Sequence, residues 1–320
     1  MEPLKLKAPL KDYLWGGHRL KREYGKETDL EKVAESWELS CHKDGMSVIA
    51  DGPCAGLTLS EYAGRYGKSV FGSHCAPFRD FPMLIKLIDA EQNLSVQVHP
   101  DNDYALREEG EYGKTEMWVV VDAREGASLI YGVNRTLTRE EFASRIQNNT
   151  LLEVCNYVPV HPGDVFFIEA GTLHAIGAGI LIAEIQQNSN STYRVYDYGR
   201  LGADGKPRQL HIKKALDVTR LSPLTRKPGP AGQPEQVKGA VRTLLGSSAY
   251  FTAYRLEADG SVSFEAGGES FHSLLMLQGE GTLAWNGGSR AIQKGDSFFL
   301  PAGLGAYRLE GRFTAIQSMV

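Results

Sequence analysis

Cysteine is scarce in this sequence. The chain of 320 residues has four cysteines, Cys41, Cys54, Cys75 and Cys155, and none of them forms a CxxC pair or an evenly spaced series. Disulfide frameworks and cysteine-based zinc sites depend on such spacings. We therefore expect reduced thiols, as in a cytoplasmic protein.

Long apolar segments and an excess of positive charge are also missing. No run approaches the roughly 20 apolar residues of a transmembrane helix, and the N-terminal stretch MEPLKLKAPLKDYLWGG lacks the apolar core of a secretory signal. The net charge of −4 disfavours a nucleic acid or an anionic membrane as the main partner. With 42% hydrophobic residues, the composition is that of a globular protein of one large or two smaller domains. The net charge does not exclude a small basic pocket for an anionic metabolite.

What the sequence does contain is a series of short β-strands separated by glycine-rich turns, with few helices. The patterns predict helices over residues 59–72, with Ser60 as the N-cap, and over residues 138–150. The segments 115–123 and 127–133 look like a pair of strands. Many short strands with few helices favour a β-barrel or a β-sandwich over a doubly wound sheet.

The second half of the chain repeats part of the first. HPGDVFFIEAGTLHA (161–175) aligns with QKGDSFFLPAGLGAY (293–307), which predicts two related β-barrels. A segment rich in proline and glycine separates the two copies. We therefore divide the chain into a catalytic domain with helical insertions (1–225), a linker (226–239) and a second, metal-free domain (240–320).

The two copies differ at one position that matters for function. His174 lies in the first copy where the second has Ala306. A residue that the fold requires is expected in both copies, whereas a site needs to exist in one. His174 is therefore a candidate functional residue of the first domain.

Three further polar residues accompany His174. In LSVQVHPDND (94–103), Gln97 and His99 share the polar face of a strand, and Glu116 begins another strand. Two imidazoles, a carboxylate and an amide oxygen suit a divalent cation, zinc first, with manganese, iron or cobalt as alternatives. The other interpretation is that each residue is a hydrogen-bonded polar group at a barrel mouth.

Four motifs together resemble the short bacterial form of the type I mannose-6-phosphate isomerases. They are LSVQVHPDNDYA, GKTEMWVVV, HPGDVFFIEAGTLHAIG and TYRVYDYGR. The resemblance implies a mainly β protein with two cupin-type (jelly-roll) β-barrels and a few inserted α-helices. It also implies one Zn²⁺ per chain, with the family's ligands falling on Gln97, His99, Glu116 and His174. One departure is Tyr198, where the family commonly has tryptophan.

The resemblance also implies an activity, the interconversion of mannose 6-phosphate and fructose 6-phosphate through a cis-enediol. The family's catalytic arginine matches Arg194, and Glu184 or Lys114 is the candidate proton-transfer group. Ser95 and Lys86 match substrate-pocket positions and are candidates for binding the phosphate or the sugar hydroxyls.

Several alternatives stay open at this stage. Lys86 and Lys114 could be solvated surface lysines, Glu184 could be an ion-pair partner, and Asp197 is expected to hold a neighbouring arginine or to cap a turn. The protein could also be an isomerase for another sugar phosphate or for free mannose, a non-catalytic sugar-binding cupin, or a dioxygenase-type cupin. The expected partner is a small sugar phosphate, with no nucleic acid and no membrane, and the oligomeric state is open.

Overall fold

The computed structural model describes residues 1–202 and 205–320, and most of its secondary structure is antiparallel β-sheet. The strands of this part of the chain are β1 (Leu4–Lys7), β2 (Leu10–Lys11), β3 (Glu35–His42), β4 (Gly45–Met46), β5 (Val48–Ile49), β6 (Met83–Ala90), β7 (Val96–Val98), β8 (Glu116–Ala123), β9 (Ser128–Val133), β10 (Cys155–Pro159), β11 (Val165–Ile168), β12 (His174–Ala175), β13 (Ile180–Gln187), β14 (Tyr193–Tyr196), β15 (Glu235–Val237), β16 (Ala240–Ser247), β17 (Thr252–Ala266), β18 (His272–Trp285), β19 (Gly288–Gln293), β20 (Ser297–Leu300) and β21 (Gly305–Met319).

Helices are short and lie between the strands. The α-helices of the described residues are α1 (Arg19–Tyr24), α2 (Leu59–Tyr66), α3 (Asn102–Glu108), α4 (Arg139–Gln147) and α5 (Ile212–Val218), and the 3₁₀ helices are Lys68–Phe71, Ser73–Cys75 and Leu151–Val154. Within the described ranges, the chain has no helix with the length and apolar character required to cross a bilayer.

The first barrel consists of two sheets that pack face to face. One sheet has the strand order β11-β8-β13-β6-β3-β2, with β4 on β3, and the other has the order β10-β9-β12-β7-β14. Trp118 and Ile182 of the first sheet share one buried cluster with Leu129 and Tyr131 of the second. Such a two-sheet antiparallel arrangement is that of a jelly roll. The predicted fold class, mainly β with a few inserted helices, is confirmed.

The second barrel is a single large sheet, in which β17, β18 and β21 are the longest strands. Its order is β15-β16-β17-β21-β18-β20-β1-β5, with β19 on β18. The N-terminal strand β1 belongs to this sheet, since Leu4 pairs with Phe299 of β20. The predicted linker contains β15, which pairs with β16. The boundaries at residues 225 and 240 stay a prediction.

The aligned repeats occupy equivalent strands of the two barrels. In the first barrel β11 pairs with β8, Phe166 opposite Trp118, and in the second β20 pairs with β18, Phe298 opposite Leu274. The turn before each short strand contains a glycine with a positive φ angle, 95° at Gly163 and 87° at Gly295. This conformation strains any residue with a Cβ, which explains why the motif keeps its glycine in both copies.

Three local predictions were wrong. The helix predicted over residues 59–72 ends at Tyr66, because Gly67 has a φ angle of 91° that a helix does not accept, and a separate 3₁₀ helix follows over Lys68–Phe71. Strands β8 and β9 do not pair with each other: β8 lies between β11 and β13, whereas β9 lies between β10 and β12 in the other sheet. The turn at Gly126, with φ of 77°, carries the chain from one sheet to the other. The N-cap of α2 is Thr58 and not Ser60, because Thr58 and Glu61 form a reciprocal capping box. The helix predicted over residues 138–150 is confirmed as α4.

The two barrels are joined by an aromatic cluster, which leads to a stability prediction. Phe271 of the second barrel is fully buried, and its ring centroid lies 5.2 Å from that of Phe81 in the first barrel and 5.1 Å from that of Phe299. We expect Phe271→Ala to lower the free energy of unfolding by about 3–5 kcal/mol, because the cavity it leaves is enclosed on both sides. Urea denaturation measures this loss.

The control for this variant is Leu106→Ala, in a leucine that is 43% exposed on α3. We expect a change within about 0.5 kcal/mol there. A comparably small change for Phe271→Ala would mean that the contact between the barrels contributes little to stability.

Candidate metal centre and active site

Three of the four predicted metal ligands converge inside the first barrel. His99 follows β7, Glu116 begins β8 and His174 begins β12, and one ligand atom from each lies within 4.8 Å of the others. The two imidazole Nε2 atoms are 3.1 Å apart, and the Nε2 of His174 is 3.4 Å from Oε1 of Glu116. All three side chains are buried. The side chains of His99 and His174, which are 75 positions apart in the sequence, thus approach the same point in the barrel.

Strand register places Gln97 beside this group. Gln97 of β7 is paired with His174 of β12 on one side and with Arg194 of β14 on the other. Directly paired residues of antiparallel strands project from the same face of a sheet. Gln97 also lines the cavity into which the site opens. The structure therefore brings together all four residues of the predicted ligand set.

Hydrogen bonds hold both imidazoles in the orientation that a metal ion requires. The Nδ1 of His99 is 2.8 Å from the carbonyl oxygen of Ser191, and the Nδ1 of His174 is 2.8 Å from that of Thr172. A carbonyl oxygen only accepts, so each Nδ1 carries the proton and each Nε2 keeps its lone pair. This backbone support is typical of metal-binding histidines.

The electrostatics of the three residues fit a cation as well. Burial lowers the pKa of His174 to about 3, and burial followed by the charge of Lys114 holds the pKa of His99 well below its usual value. Both imidazoles are therefore neutral, which is the metal-binding form. Burial and the nearby charge of Glu184 raise the pKa of Glu116 to about 7, and its buried Oε1 has no hydrogen-bond partner in the described residues. A divalent cation would satisfy this oxygen.

A row of charged and aromatic side chains crosses four strands next to the ligand set. Register pairs Trp37 of β3 with Lys86 of β6, Lys86 with Glu184 of β13, and Glu184 with Trp118 of β8. The indole nitrogen of Trp118 donates to Oε2 of Glu184 at 2.8 Å. The Nζ of Lys86 is 3.5 Å from Oε1 of Glu184. The carboxylate of Glu184 is thus contacted by Trp118 on one side and by Lys86 on the other.

Both pocket lysines are buried and paired with carboxylates. Lys86 is 3% exposed and Lys114 is 4% exposed, which excludes the alternative of solvated surface lysines. The Nζ of Lys114 contacts Glu116 and lies 3.6 Å from Oε1 of Glu184. Burial alone would raise the pKa of Glu184, but the positive charges of Lys114 and Lys86 outweigh it and the net shift is downward. Glu184 is therefore a carboxylate at neutral pH.

Sequence reasoning missed Glu35, which completes the row. Glu35 is 8% exposed, and its Oε2 accepts a 2.7 Å hydrogen bond from the indole nitrogen of Trp37 and lies 3.4 Å from Nζ of Lys86. The available signal was the alternation in ESWELS, which places Glu35 and Trp37 on one face of a strand. Burial would lower the pKa of Lys86, but Glu35 and then Glu184 raise it overall.

Arg194 approaches the ligand set from the neighbouring strand. Its Nη1 donates to the backbone oxygen of Gln209 at 3.1 Å, and its buried Nε has no hydrogen-bond partner among the described residues. Nearby, Asp197 holds two arginines, Arg200 and Arg208. Of the two roles expected for Asp197, the structure thus shows the arginine partner.

One cavity of about 320 Å³ adjoins the ligand set and is lined by Gln97; its volume is within the size range of small-molecule sites. Ser95 and Lys86, the predicted substrate residues, line it together with Lys114, Glu184 and Arg194. The cavity is also lined by residues without a sequence-based assignment. They are Tyr13, Trp15, Glu35, Ile88, Leu94, Ile176, Asn190, Thr192 and Arg208.

Comparison with known proteins assigns the family. Residues 4–128 match the model for the catalytic domain of type I phosphomannose isomerase, and residues 241–320 match the model for the mannose-6-phosphate isomerase cupin domain. The chain is 39% identical to a mannose-6-phosphate isomerase of Bacillus subtilis over 318 residues, which is 99% of this chain and 98% of the relative. This chain belongs to the type I phosphomannose isomerase family.

Further mannose-6-phosphate isomerases support the assignment over the whole length. A mannose-6-phosphate isomerase of Streptococcus mutans is 38% identical over 99% of this chain and 98% of the relative. The crystal structure of the mannose 6-phosphate isomerase from Bacillus subtilis superposes with a TM-score of 0.91, at 34% identity and with 100% of both chains covered. The resemblance inferred from the motifs is confirmed, and family membership decides against a dioxygenase-type cupin.

Proposed function

We propose that this protein is a metal-dependent isomerase that interconverts mannose 6-phosphate and fructose 6-phosphate. The observation that carries the proposal is a cavity lined by Gln97, by a buried carboxylate, Glu184, and by a half-buried arginine, Arg194, next to the buried cluster of the other three proposed ligands. The names of the two curated relatives support the choice of mannose 6-phosphate as substrate.

Gln97, His99, Glu116 and His174 would hold the metal, which we propose to be one Zn²⁺ per chain. Two neutral imidazoles, one carboxylate and one amide oxygen also accept manganese, iron or cobalt. When bound, the ion supplies Lewis acidity that polarises the oxygens at C1 and C2 of the sugar. The neutral Nε2 atoms of the two histidines and the unpartnered Oε1 of Glu116 support this assignment.

The isomerisation moves a proton between C1 and C2 through a cis-enediol, and we assign this transfer to Glu184. A general base needs an accessible lone pair in its anionic form. Glu184 is anionic, and its buried Oε1 has no hydrogen-bond partner among the residues described. Lys114, the other candidate, is committed to Glu116 and Glu184 as an ion-pair donor. We assign Lys114 to holding Glu184 in place.

Arg194 is assigned to the negative charge that develops on the enediol oxygens. Its guanidinium is a permanent cation, so it stabilises charge without a change of its own protonation state. The pairing of Arg194 with Gln97 in strand register places it next to the proposed ligands. Ser95 and Lys86 line the same cavity, and we assign them to the sugar hydroxyls.

An assay of the purified protein tests the proposed reaction. Fructose 6-phosphate formed from mannose 6-phosphate is measured by coupled oxidation, with free mannose and other hexose 6-phosphates as competing substrates. We expect turnover with mannose 6-phosphate to exceed that with any competitor. Tight binding of mannose 6-phosphate without turnover would instead identify a non-catalytic sugar-binding protein, and preference for another sugar would reassign the substrate.

The role of Glu184 is tested by Glu184→Gln, which keeps the shape of the side chain but removes its basicity. We expect kcat to fall by about 100- to 10,000-fold with a much smaller change in KM, because proton transfer is lost and binding contacts remain. Steady-state kinetics on mannose 6-phosphate measure both constants.

The matched control is Glu257→Gln, in a glutamate of the second barrel whose side chain is 48% exposed. We expect wild-type kinetics for this variant. A kcat for Glu184→Gln within a few-fold of the wild type would move the proton transfer to another group, with Lys114 the first to be tested.

We also propose a cytoplasmic location. The four cysteines are free, and Cys54, Cys75 and Cys155 are buried. Unpaired thiols are typical of proteins in reducing compartments.

A further inference from the structure

The backbone that carries Lys114 is held by three consecutive hydrogen bonds. The N–H group of Gly113 donates to Oδ1 of Asn102 at 2.8 Å. The N–H group of Lys114 donates to a backbone carbonyl oxygen at 3.0 Å. The N–H group of Thr115 donates to Oε1 of Gln187 at 2.8 Å. These bonds fix the backbone at the point from which the side chain of Lys114 extends.

Asn102 is at the centre of this network. Its Oδ1 accepts a second hydrogen bond, from Nε2 of Gln187 at 2.9 Å, and its Nδ2 donates to the hydroxyl group of Tyr250 at 3.1 Å. The orientation of the Asn102 amide is determined, because the N–H group of Gly113 can only donate and therefore requires the oxygen on its side. One side chain thus contacts two other segments of the first barrel and one residue of the second barrel.

The network is connected to the groups proposed for the chemistry. Gln187 is the last residue of β13, three positions after Glu184, and Asn102 is the first residue of α3. The Nζ of Lys114 contacts Glu116 and lies 3.6 Å from Oε1 of Glu184. A shift of the backbone at Lys114 would therefore move its ammonium group relative to both carboxylates.

Tyr250 brings the second barrel into this network. It lies in the turn between β16 and β17, where the N–H groups of Tyr250 and Phe251 donate to Oγ of Ser248 at 3.1 and 3.3 Å. Phe251 is buried, and its ring centroid lies 6.0 Å from that of Phe167 in the first barrel. The hydroxyl group of Tyr250 is thus presented to Asn102 by a turn that packs against the first barrel.

We infer that Asn102, held by Tyr250 of the second barrel, is a positioning residue that fixes Lys114 against Glu184. The inference rests on the proposed function, in which Glu184 transfers the proton and Lys114 holds it in place. A misplacement of about 1 Å at a reacting group can lower a rate by about 100-fold. Neither Asn102 nor Tyr250 is among the described residues that line the cavity, so changes in them should leave the substrate contacts intact. The second barrel thereby acts on the reaction without contributing a residue to the active site.

The kinetic test is Asn102→Leu, assayed at saturating Zn²⁺, which keeps the size of the side chain but removes its hydrogen bonds. We expect kcat for mannose 6-phosphate to fall by about 10- to 100-fold with KM within about threefold. Asn102→Asp can accept hydrogen bonds from Gly113, Gln187 and the hydroxyl group of Tyr250, and it should recover most of the lost kcat. Tyr250→Phe removes one hydrogen bond and should lower kcat by about two- to tenfold.

Amide hydrogen exchange measures the positioning without any reaction. In Asn102→Leu, the amides of residues 113–115 should exchange about tenfold faster than in the wild type, because a hydrogen bond that protects them is lost. The exchange rates of β17 should be unchanged. This comparison separates a local change from a loss of global stability.

Two control variants lie outside the network. Asn156→Leu is matched to Asn102→Leu, because Asn156 is also half-buried and donates from Nδ2 to a backbone oxygen, that of Tyr131, at 3.0 Å. Tyr254→Phe is matched to Tyr250→Phe, because Tyr254 is a half-buried tyrosine of the second barrel. Both controls should leave the kinetic constants and the exchange of residues 113–115 unchanged.

A double-mutant cycle tests whether Asn102 acts through Lys114. In the Lys114→Met background, adding Asn102→Leu should lower kcat by less than about twofold, because the group that Asn102 positions is already absent. An equal loss of kcat in both backgrounds would show that Asn102 does not act through Lys114 and would overturn the inference.

The outcomes distinguish this inference from the proposed function. A wild-type protein that does not convert mannose 6-phosphate would refute the proposed reaction. Unchanged exchange of residues 113–115 in Asn102→Leu would refute the positioning of Lys114, whether or not the wild type is active. With an active wild type, faster exchange together with unchanged kcat would show that the network contributes to structure alone, and would also overturn the inference.

Discussion

Chelation of the metal is expected to abolish isomerase activity, and added Zn²⁺ is expected to restore it. The ligand atoms of His99, Glu116 and His174 lie within 4.8 Å of one another in a buried position, beside the ammonium group of Lys114. Without the ion, the cavity has no group that can take over its Lewis acidity at the sugar oxygens. Activity after dialysis against a chelator, followed by addition of zinc, manganese or cobalt, measures the effect. Elemental analysis of the purified protein identifies the metal.

The ligand assignment itself is tested by His174→Ala, with metal content as the readout. Removing one of two imidazoles should lower both the bound metal and the activity to near background. His161→Ala is the control, because His161 has a side chain that is 81% exposed and lies in the turn before β11. Full activity in the presence of chelators, or full metal content in His174→Ala, would contradict the assignment.

Substitution of Arg194 is also expected to have a large effect on kcat. Arg194→Ala should lower kcat by about 100- to 1,000-fold, the loss that follows removal of one group stabilising a developing oxyanion. The KM should change far less, because the interaction strengthens as charge develops and is weaker in the bound substrate. Steady-state kinetics on mannose 6-phosphate separate the two constants.

The matched control for Arg194 is Arg290→Gln, which is expected to behave as the wild type. Arg194→Lys should recover part of the lost kcat, since a lysine keeps the charge but not the planar group of donors. An unchanged kcat in Arg194→Ala would remove Arg194 from the chemistry. A rise in KM alone would instead assign Arg194 to substrate binding.

Much of the metal centre could be predicted because its signals are local. The alternation of a β-strand places Gln97 and His99 on one face whatever the strand pairs with. The internal repeat supplied a second kind of signal, since comparison of the two copies singled out His174 against Ala306. The motifs then supplied the family, and with it Glu184 and Arg194.

Other features of the cavity could not be predicted, because they depend on which strands become neighbours. Glu35 contacts Lys86, which lies 51 positions later in the chain. This contact exists because β3 pairs with β6. The pairing of β8 was predicted wrongly for the same reason. Alternation shows which face a residue takes, but it carries no information about the partner strand.

The sequence by itself determined the fold class, the family, the ligand types and the two faces of the central strands, because these follow from residue chemistry and from periods of a few residues. The tertiary structure alone decided how charge is distributed in the cavity. Lys86 and Lys114 turned out to be compensated by Glu35, Glu116 and Glu184, whereas the arginines around Asp197 are not. Electrostatic balance depends on distances through space, and strand pairing and loop placement set those distances.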